Sequence, residues 1–310
     1  MIYKHDNFWS YIGNEDELTM LNVKSLLTYK EYIFTTQEYN TIPLYVEHSN
    51  VYGCECIKFP TGLCEYISEK LGIPIEHKRH NYKAATKEEI LAIANNVQKI
   101  NPDFEVRDYQ IEGVMASVDK FQSLIYYGTA SGKTSVMSLL CILLMQRKQK
   151  ILILNNQNFI LQQIYNRLVS MGVSQDDISI GTSDLTKPIV IISTQTSYNR
   201  IKDADPDFLK YLQTVDNIII DECQHMASIS YISILMHATN YKRIIGYSGS
   251  PFHHQDNPFK EHGDALLVGL VGLPAATYTM ADSIKDEKVA KPYFYFINYP
   301  SYPATYSNQT

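Results

Sequence analysis

The sequence predicts a doubly wound α/β domain, its strands parallel and covered by helices on both faces, with a small α+β domain ahead of it. Three observations carry this reading. From about residue 103, short apolar runs recur at 124–127, 151–154, 178–180, 189–192, 215–220 and 243–247, with helix-length stretches between them. Strands separated by helices pair side by side in a parallel sheet. The run at 123–127 leads into a loop of small residues and then an apolar helix from Lys133 to Met145, and the run at 217–221 ends on two adjacent acids.

Before that domain, residues 1–95 alternate strand-like and helix-like stretches, such as a strand at 52–59 and an amphipathic helix at 62–71. The stretch 77–83 is the most basic in the chain; it reads as a contact for a phosphate backbone or as a solvated turn, and the turn is favoured. A helix is predicted from Thr86, with Glu89 three residues on as in a capping box, to Ile100, where Asn101 and Pro102 end it. The expected division is a small α+β domain at 1–95, a nucleotide-binding domain at 96–290 and a linker at 291–310. Within that last stretch, 291–300 reads as an aromatic strand and 305–310 as a polar tail. No internal repeat interrupts this order.

With 310 residues, 45% of them hydrophobic, the chain has the composition of an ordinary soluble protein, which argues against a fibre or a disordered tail. The longest apolar run, 136–145, is too short to cross a bilayer, so no membrane partner is expected. The first ten residues lack a secretory pattern, and the five cysteines are an odd number, so an intracellular, reduced, cytoplasmic setting is expected. A net charge of −6 argues against a general polyanion coat but leaves room for a locally basic groove. Cys54, Cys56 and Cys64 with His48, His77 and His80 supply the residue types of a metal cluster. Without a C-x-x-C pair, buried thiols are the better reading.

The chemistry of the loop is specific. Gly128, Thr129, Ala130, Ser131 and Gly132 lead to Lys133, Thr134 and Ser135, at the start of the apolar helix. Backbone N–H groups of such a loop point at phosphate oxygens, the helix dipole favours anions, the lysine meets the β- and γ-phosphates, and the hydroxyl of Thr134 suits Mg²⁺. Tyr127 stands where the full motif has its first glycine, and Ala130 stands at a position that is often glycine. The second element is Asn217-Ile-Ile-Ile-Asp221-Glu222-Cys223-Gln224-His225. A strand of a parallel sheet delivers both carboxylates to the edge where ligands sit, Asp221 to hold Mg²⁺ and Glu222 to polarise an attacking water. Alone, the loop could be an ordinary turn and the acids a solvated cap. Together they predict a Mg²⁺-dependent ATPase.

With these elements in order, residues 104 to 300 resemble the first RecA-like motor domain of superfamily 2 helicases, and most closely the UvsW-type helicases of tailed bacteriophages. The resemblance implies an ATP-driven, DNA-dependent helicase or translocase with a RecA-like P-loop fold. Phe104, Arg107, Tyr109 and Gln110 then look like the adenine-reading segment, Gln110 bonding the purine edge and Phe104 or Tyr109 stacking on the ring. Ser248, Gly249 and Ser250, with Gln224 and His225, stand where the family couples nucleotide state to DNA. Asn156, Gln157 and Gln163, and Ser193, Gln195 and Thr196, stand where it grips a DNA strand. The chain departs from the family pattern at Asn156 and Gln157, which replace Pro-Thr, and at Gln224, which replaces His.

The same resemblance implies branched or forked DNA from phage recombination or replication as partner, in the host cytoplasm, with the N-terminal module, which resembles its phage counterpart through residues 58–63 and the helix after them, helping to engage it. It also implies a second RecA-like lobe with an arginine finger, so the 310-residue chain is expected to be a fragment with slow hydrolysis. The motor of a restriction-type translocase shares these motifs, and a non-catalytic DNA-binding module is the alternative outside enzymes.

Overall fold

The computed structural model describes residues 2–4, 7–13, 15–33, 38–51, 54–76, 83–181, 183–291 and 293. The predicted basic run at 77–83, all but its last residue, and the predicted C-terminal strand and tail, all but Lys291 and Tyr293, lie outside them, as do the side chains of His48, Cys54, His77 and His80. The N-terminal part holds β1 (Ile2–Lys4), β2 (Trp9–Gly13), α1 (Glu17–Leu26), β3 (Thr28–Ile33), β4 (Glu38–Pro43), β5 (Val46–Val51), β6 (Cys54–Pro60), α2 (Cys64–Leu71) and β7 (Ile75–Glu76). Five of the strands form a sheet in the order β5-β6-β2-β1-β7, and β3 and β4 pair as a separate hairpin.

The larger part holds α3 (Lys87–Ile100), α4 (Asp108–Asp119), β8 (Gln122–Tyr127), α5 (Lys133–Gln146), β9 (Ile151–Asn155), α6 (Asn158–Ser170), β10 (Ile178–Ile180) and β11 (Ile189–Ser193). It continues with α7 (Thr194–Lys202), α8 (Pro206–Leu212), β12 (Asn217–Asp221), α9 (Ile229–His237), β13 (Arg243–Ser248), α10 (His262–Val271), β14 (Pro274–Tyr278) and α11 (Met280–Lys285). Seven strands form one sheet in the order β10-β11-β9-β12-β13-β8-β14, every neighbouring pair parallel. This is the expected RecA-like α/β fold with a small N-terminal α+β region. The seventh strand, β14, was not expected: Pro274 and two alanines weaken its apolar pattern, and it pairs only with β8 at the sheet edge.

Strand alternation builds two cores. Ile151, Ile153, Ile189, Ile191, Ile219, Ile245 and Tyr247 face α3, α4, α5 and α6. The intervening residues Leu152, Leu154, Val190, Ile192, Ile218, Ile220 and Ile244 face the other way, into a core that α8, α9 and α10 share with the N-terminal part through Phe8, Ile12, Val23, Phe59, Leu63 and Ile67. Such runs, buried on both faces, are why the strands read as continuous hydrophobic stretches. Thr86 caps α3 as predicted, accepting from Glu89 N at 3.2 Å. Cys56, Cys64, Cys141 and Cys223 are buried.

Helix α10 ties the two parts together through a close backbone approach. A Cβ on Gly269 would lie 2.8 Å from Pro60 Cβ, and one on Gly62 would lie 2.8 Å from Gly269 O. Glycine at both positions lets the turn after β6 rest directly on α10.

Candidate nucleotide site

The C-terminal edge of the large sheet gathers the chemistry. Parallel register sets Asn155 beside Ser193 and Asp221 beside Tyr247, so the ends of β9, β11, β12 and β13 present Asn155, Ser193, Asp221 and Ser248 along one edge. The loop between β8 and α5 rises at the same edge. Its geometry is held by left-handed backbone at Ala130 (φ 63°) and at Gly132 (φ 84°), the residue that opens α5. The first N–H groups of a helix have no intrahelical acceptor, so Lys133 and Thr134 offer theirs to an anion.

The departures from the loop motif have steric causes. Tyr127 is buried, its hydroxyl bonded to Tyr109 O and its ring edge-on to Tyr109, and burial raises its pKa. Gly128 is the position where a side chain is excluded. Its N–H donates to Tyr278 O at 2.8 Å, and a Cβ there would lie 2.7 Å from Met280 N, where β14 turns into α11. Ser131 bonds back to Gly128 O at 2.7 Å, and Thr129 and Ala130 stay exposed. Lys133 Nζ donates to Tyr127 O at 3.1 Å, and Gly249 lies against it. Ser135 is buried and accepts from Arg167 Nη2 at 2.8 Å, so its hydroxyl supports the helix.

The segment expected to read adenine braces the loop. Arg107 Nη1 donates to Tyr109 OH at 2.8 Å, and Tyr109 OH donates to Ser131 O at 2.9 Å. Both ends of the Gln110 amide are engaged, Oε1 by Arg107 N at 3.1 Å and Nε2 with Ser131 O at 3.0 Å. Tyr109 stacks on Tyr278 at 3.7 Å, whereas Phe104 is buried beneath the Arg167 guanidinium. Of the two aromatics offered for ring stacking, Tyr109 therefore stands beside the loop and Phe104 belongs to the core.

At the end of β12, Asp221 is buried, and this burial, with Glu222 beside it, pushes its pKa up to about 6; Lys133 and an Asn155 hydrogen bond pull the other way. A buried carboxylate raised in this way gains from a cation, so the pair suits Mg²⁺, with Thr134 across the loop as a second oxygen donor. Glu222 itself sits in left-handed backbone (φ 53°, ψ 50°), a strained state for a residue with a Cβ. Gln224 Nε2 donates to Glu222 Oε2 at 2.8 Å, and Ser248 Oγ donates to Gln224 Oε1 at 2.6 Å. Ser248 Oγ also accepts from Ser250 N at 3.1 Å. His225, one place on, is exposed.

The same C-terminal edge, past the ends of β9 and β11, carries the residues expected to grip a strand. Asn156, Gln157 and Gln163 are exposed at the start of α6. Ser193 caps α7, accepting from Thr196 N at 3.0 Å, and Gln195 and Thr196 are exposed beside it. Sequence reasoning missed the link from Asn155, which is fully buried, to Asp221: its Oδ1 accepts from Gln157 N at 2.7 Å and its Nδ2 donates to Asp221 Oδ2 at 3.3 Å. A polar residue closing an otherwise apolar strand was the available signal. Phe159 was missed as well, an exposed aromatic one turn before Gln163 on the same face of α6.

Residues 103–253, which span the loop, the paired acids and the turn after β13, match the family profile described as type III restriction enzyme, res subunit. Solved helicase structures share the RecA-like fold of this chain at low sequence identity. The UvsW helicase from bacteriophage T4 superposes with a TM-score of 0.65 at 17% identity, covering 87% of this chain and 97% of that one. A second structure of T4 UvsW gives a TM-score of 0.64 at 17% identity, covering 89% of this chain, which spans 57% of the length of that one. No curated protein matches the sequence. No helix among the described residues is long and apolar enough to cross a membrane.

Proposed function

We propose that this chain is the first motor lobe of an ATP-dependent DNA helicase or translocase, acting on branched DNA in phage recombination or replication within the host cytoplasm. The observation that supports it best is the relay from Glu222 through Gln224 to Ser248, which links the acid beside the nucleotide loop to the turn after β13. Lys133 and the N–H groups of the first turn of α5 hold the phosphates; Thr134 and Asp221 hold Mg²⁺; Tyr109 and Gln110 set the adenine side. Bound Mg²⁺ would draw charge from the γ-phosphate and so open it to water. With Oε2 of Glu222 already taken by Gln224, Oε1 is the oxygen left to accept the water's proton. Asn156, Gln157, Gln163, Ser193, Gln195 and Thr196 hold DNA phosphates without reading bases. The N-terminal part, taken to end ahead of α3, helps engage the branch point.

The test is ATP hydrolysis measured without DNA, with linear duplex and with a forked substrate, alongside Glu222→Gln. Fork-stimulated turnover that requires Glu222 is expected; negligible turnover under all three conditions would leave a nucleotide- or DNA-binding module. The match to the restriction-enzyme family favours a second reading, the motor of a restriction-type translocase. That reading predicts stimulation by linear duplex equal to that by the fork.

A further inference from the structure

Beyond the nucleotide loop, the segment that follows β13 brings together a second set of ligand-type side chains. His253 Nδ1 lies 2.5 Å from Glu261 Oε1 and 3.8 Å from Asp264 Oδ1, and His254 Nε2 lies 3.5 Å from Glu261 Oε2. Ligand atoms of His253, Glu261 and Asp264 all fall within 4.8 Å of one another. The backbone that carries the histidines is already fixed. Asp264, buried in the first turn of α10, accepts from His253 N at 3.1 Å through Oδ1 and from His254 N at 2.9 Å through Oδ2. Charge is left over: among the described residues neither Glu261 nor Asp264 pairs with a lysine or arginine, and the adjacent Lys260 pairs instead with Asp256 at 2.5 Å.

We propose that His253, His254, Glu261 and Asp264 form a mononuclear site for a divalent transition metal, of which Zn²⁺ fits best. Two imidazoles and two carboxylates are a donor set for Zn²⁺, Co²⁺ or Mn²⁺ and a poor one for Mg²⁺, which takes oxygen ligands and keeps its waters. The metal replaces the proton that His253 shares with Glu261 and neutralises both carboxylates. Its place gives it a structural role. It staples the turn after Ser248, Gly249 and Ser250 to the start of α10, the helix that rests on the N-terminal part at Gly62. The ligands come from a loop and a helix start that are held together before any metal binds, so little ordering is needed on binding.

The experiment uses the full chain, freed of metal by chelation and titrated with Co²⁺ alone, then with Zn²⁺. A visible d–d absorption saturating at one Co²⁺ per chain and displaced by Zn²⁺ is expected, together with a rise in Tm of roughly 5 °C at Zn²⁺ a hundredfold above its Kd. The double variant His253→Ala/His254→Ala, altered at two exposed side chains, should keep its fold and lose at least tenfold in Co²⁺ affinity along with the Tm rise. Glu261→Gln should do the same, while Lys133→Ala should leave both readouts intact. No absorption and no Tm rise would overturn the site, and so would binding that survives the double variant.

Discussion

Asn155 and Asp221, on neighbouring strands β9 and β12, share a buried hydrogen bond of 3.3 Å, and the same Asn155 amide accepts from Gln157 N at the start of α6. One side chain thus touches both the acid that would hold Mg²⁺ and the helix that would meet DNA. Asn155→Val keeps the volume near constant and removes both bonds. The Mg²⁺ concentration for half-maximal binding of a fluorescent ATP analogue should rise about tenfold, with the metal-free affinity little changed, since a hydrogen bond to a charged group is worth about 1.5–3 kcal/mol. An unchanged Mg²⁺ dependence would reduce Asn155 to a packing residue.

Burial of Asp221 gives a pH signature. Its pKa rises to about 6 in the fold from the ordinary 3.8, so the native state binds the extra proton between those values. This contribution to stability is therefore full below the unfolded value and is lost as pH rises through about 6. Asp221→Asn should raise the stability of the nucleotide-free protein at neutral pH, by an amount on the order of 1–2 kcal/mol, and abolish Mg²⁺-dependent nucleotide binding. In the wild type, Mg²⁺-ATP affinity should fall below about pH 6. Calorimetry with and without Mg²⁺-ATP reads both effects.

Gln224 offers a donor to Glu222 and an acceptor to Ser248. Gln224→Leu should lower DNA-stimulated hydrolysis by roughly tenfold or more while leaving ATP affinity near wild type, since only the orientation of Glu222 and its link to Ser248 are lost. Gln224→His keeps one donor and one acceptor on a neutral ring and should retain most of the stimulation. Steady-state kinetics with and without DNA distinguishes the two variants.

The contact of Gly62 with α10 is steric. Gly62→Ala drives a methyl into the Val268 and Gly269 carbonyls and should cost about 1–3 kcal/mol, the usual range for overpacking. Thermal denaturation should show a lower Tm, while Gly72→Ala, at a site with open space and φ of 67°, should cost less.

Strand runs such as 151–154 and 189–192 were legible because strands buried on both faces leave continuous apolar stretches. The places of Lys133 at the start of α5 and of Asp221 and Glu222 at the end of β12 were legible because an apolar helix run opens at the lysine and an apolar strand run closes on the acids. Three features were not. Strand β14 is an edge strand of small residues, stabilised by its neighbour β8 more than by its own pattern. The individual bonds of Asn155 to Asp221 and of Gln224 to Ser248 come from parallel register, which sets side by side residues that are distant in sequence. Phe104 and Tyr109 looked alike as aromatics near a motif, and only packing separates the one under Arg167 from the one beside the loop.

Because α10 serves the interior of both parts, the N-terminal sheet has no finished core of its own. Cut free, it would expose the apolar side chains of Phe59, Leu63 and Ile67 that now lie in a shared cluster. It is therefore not a portable cassette: grafted onto another domain it would need a host helix with glycine where Gly269 stands, and inherited alone it would be prone to aggregate.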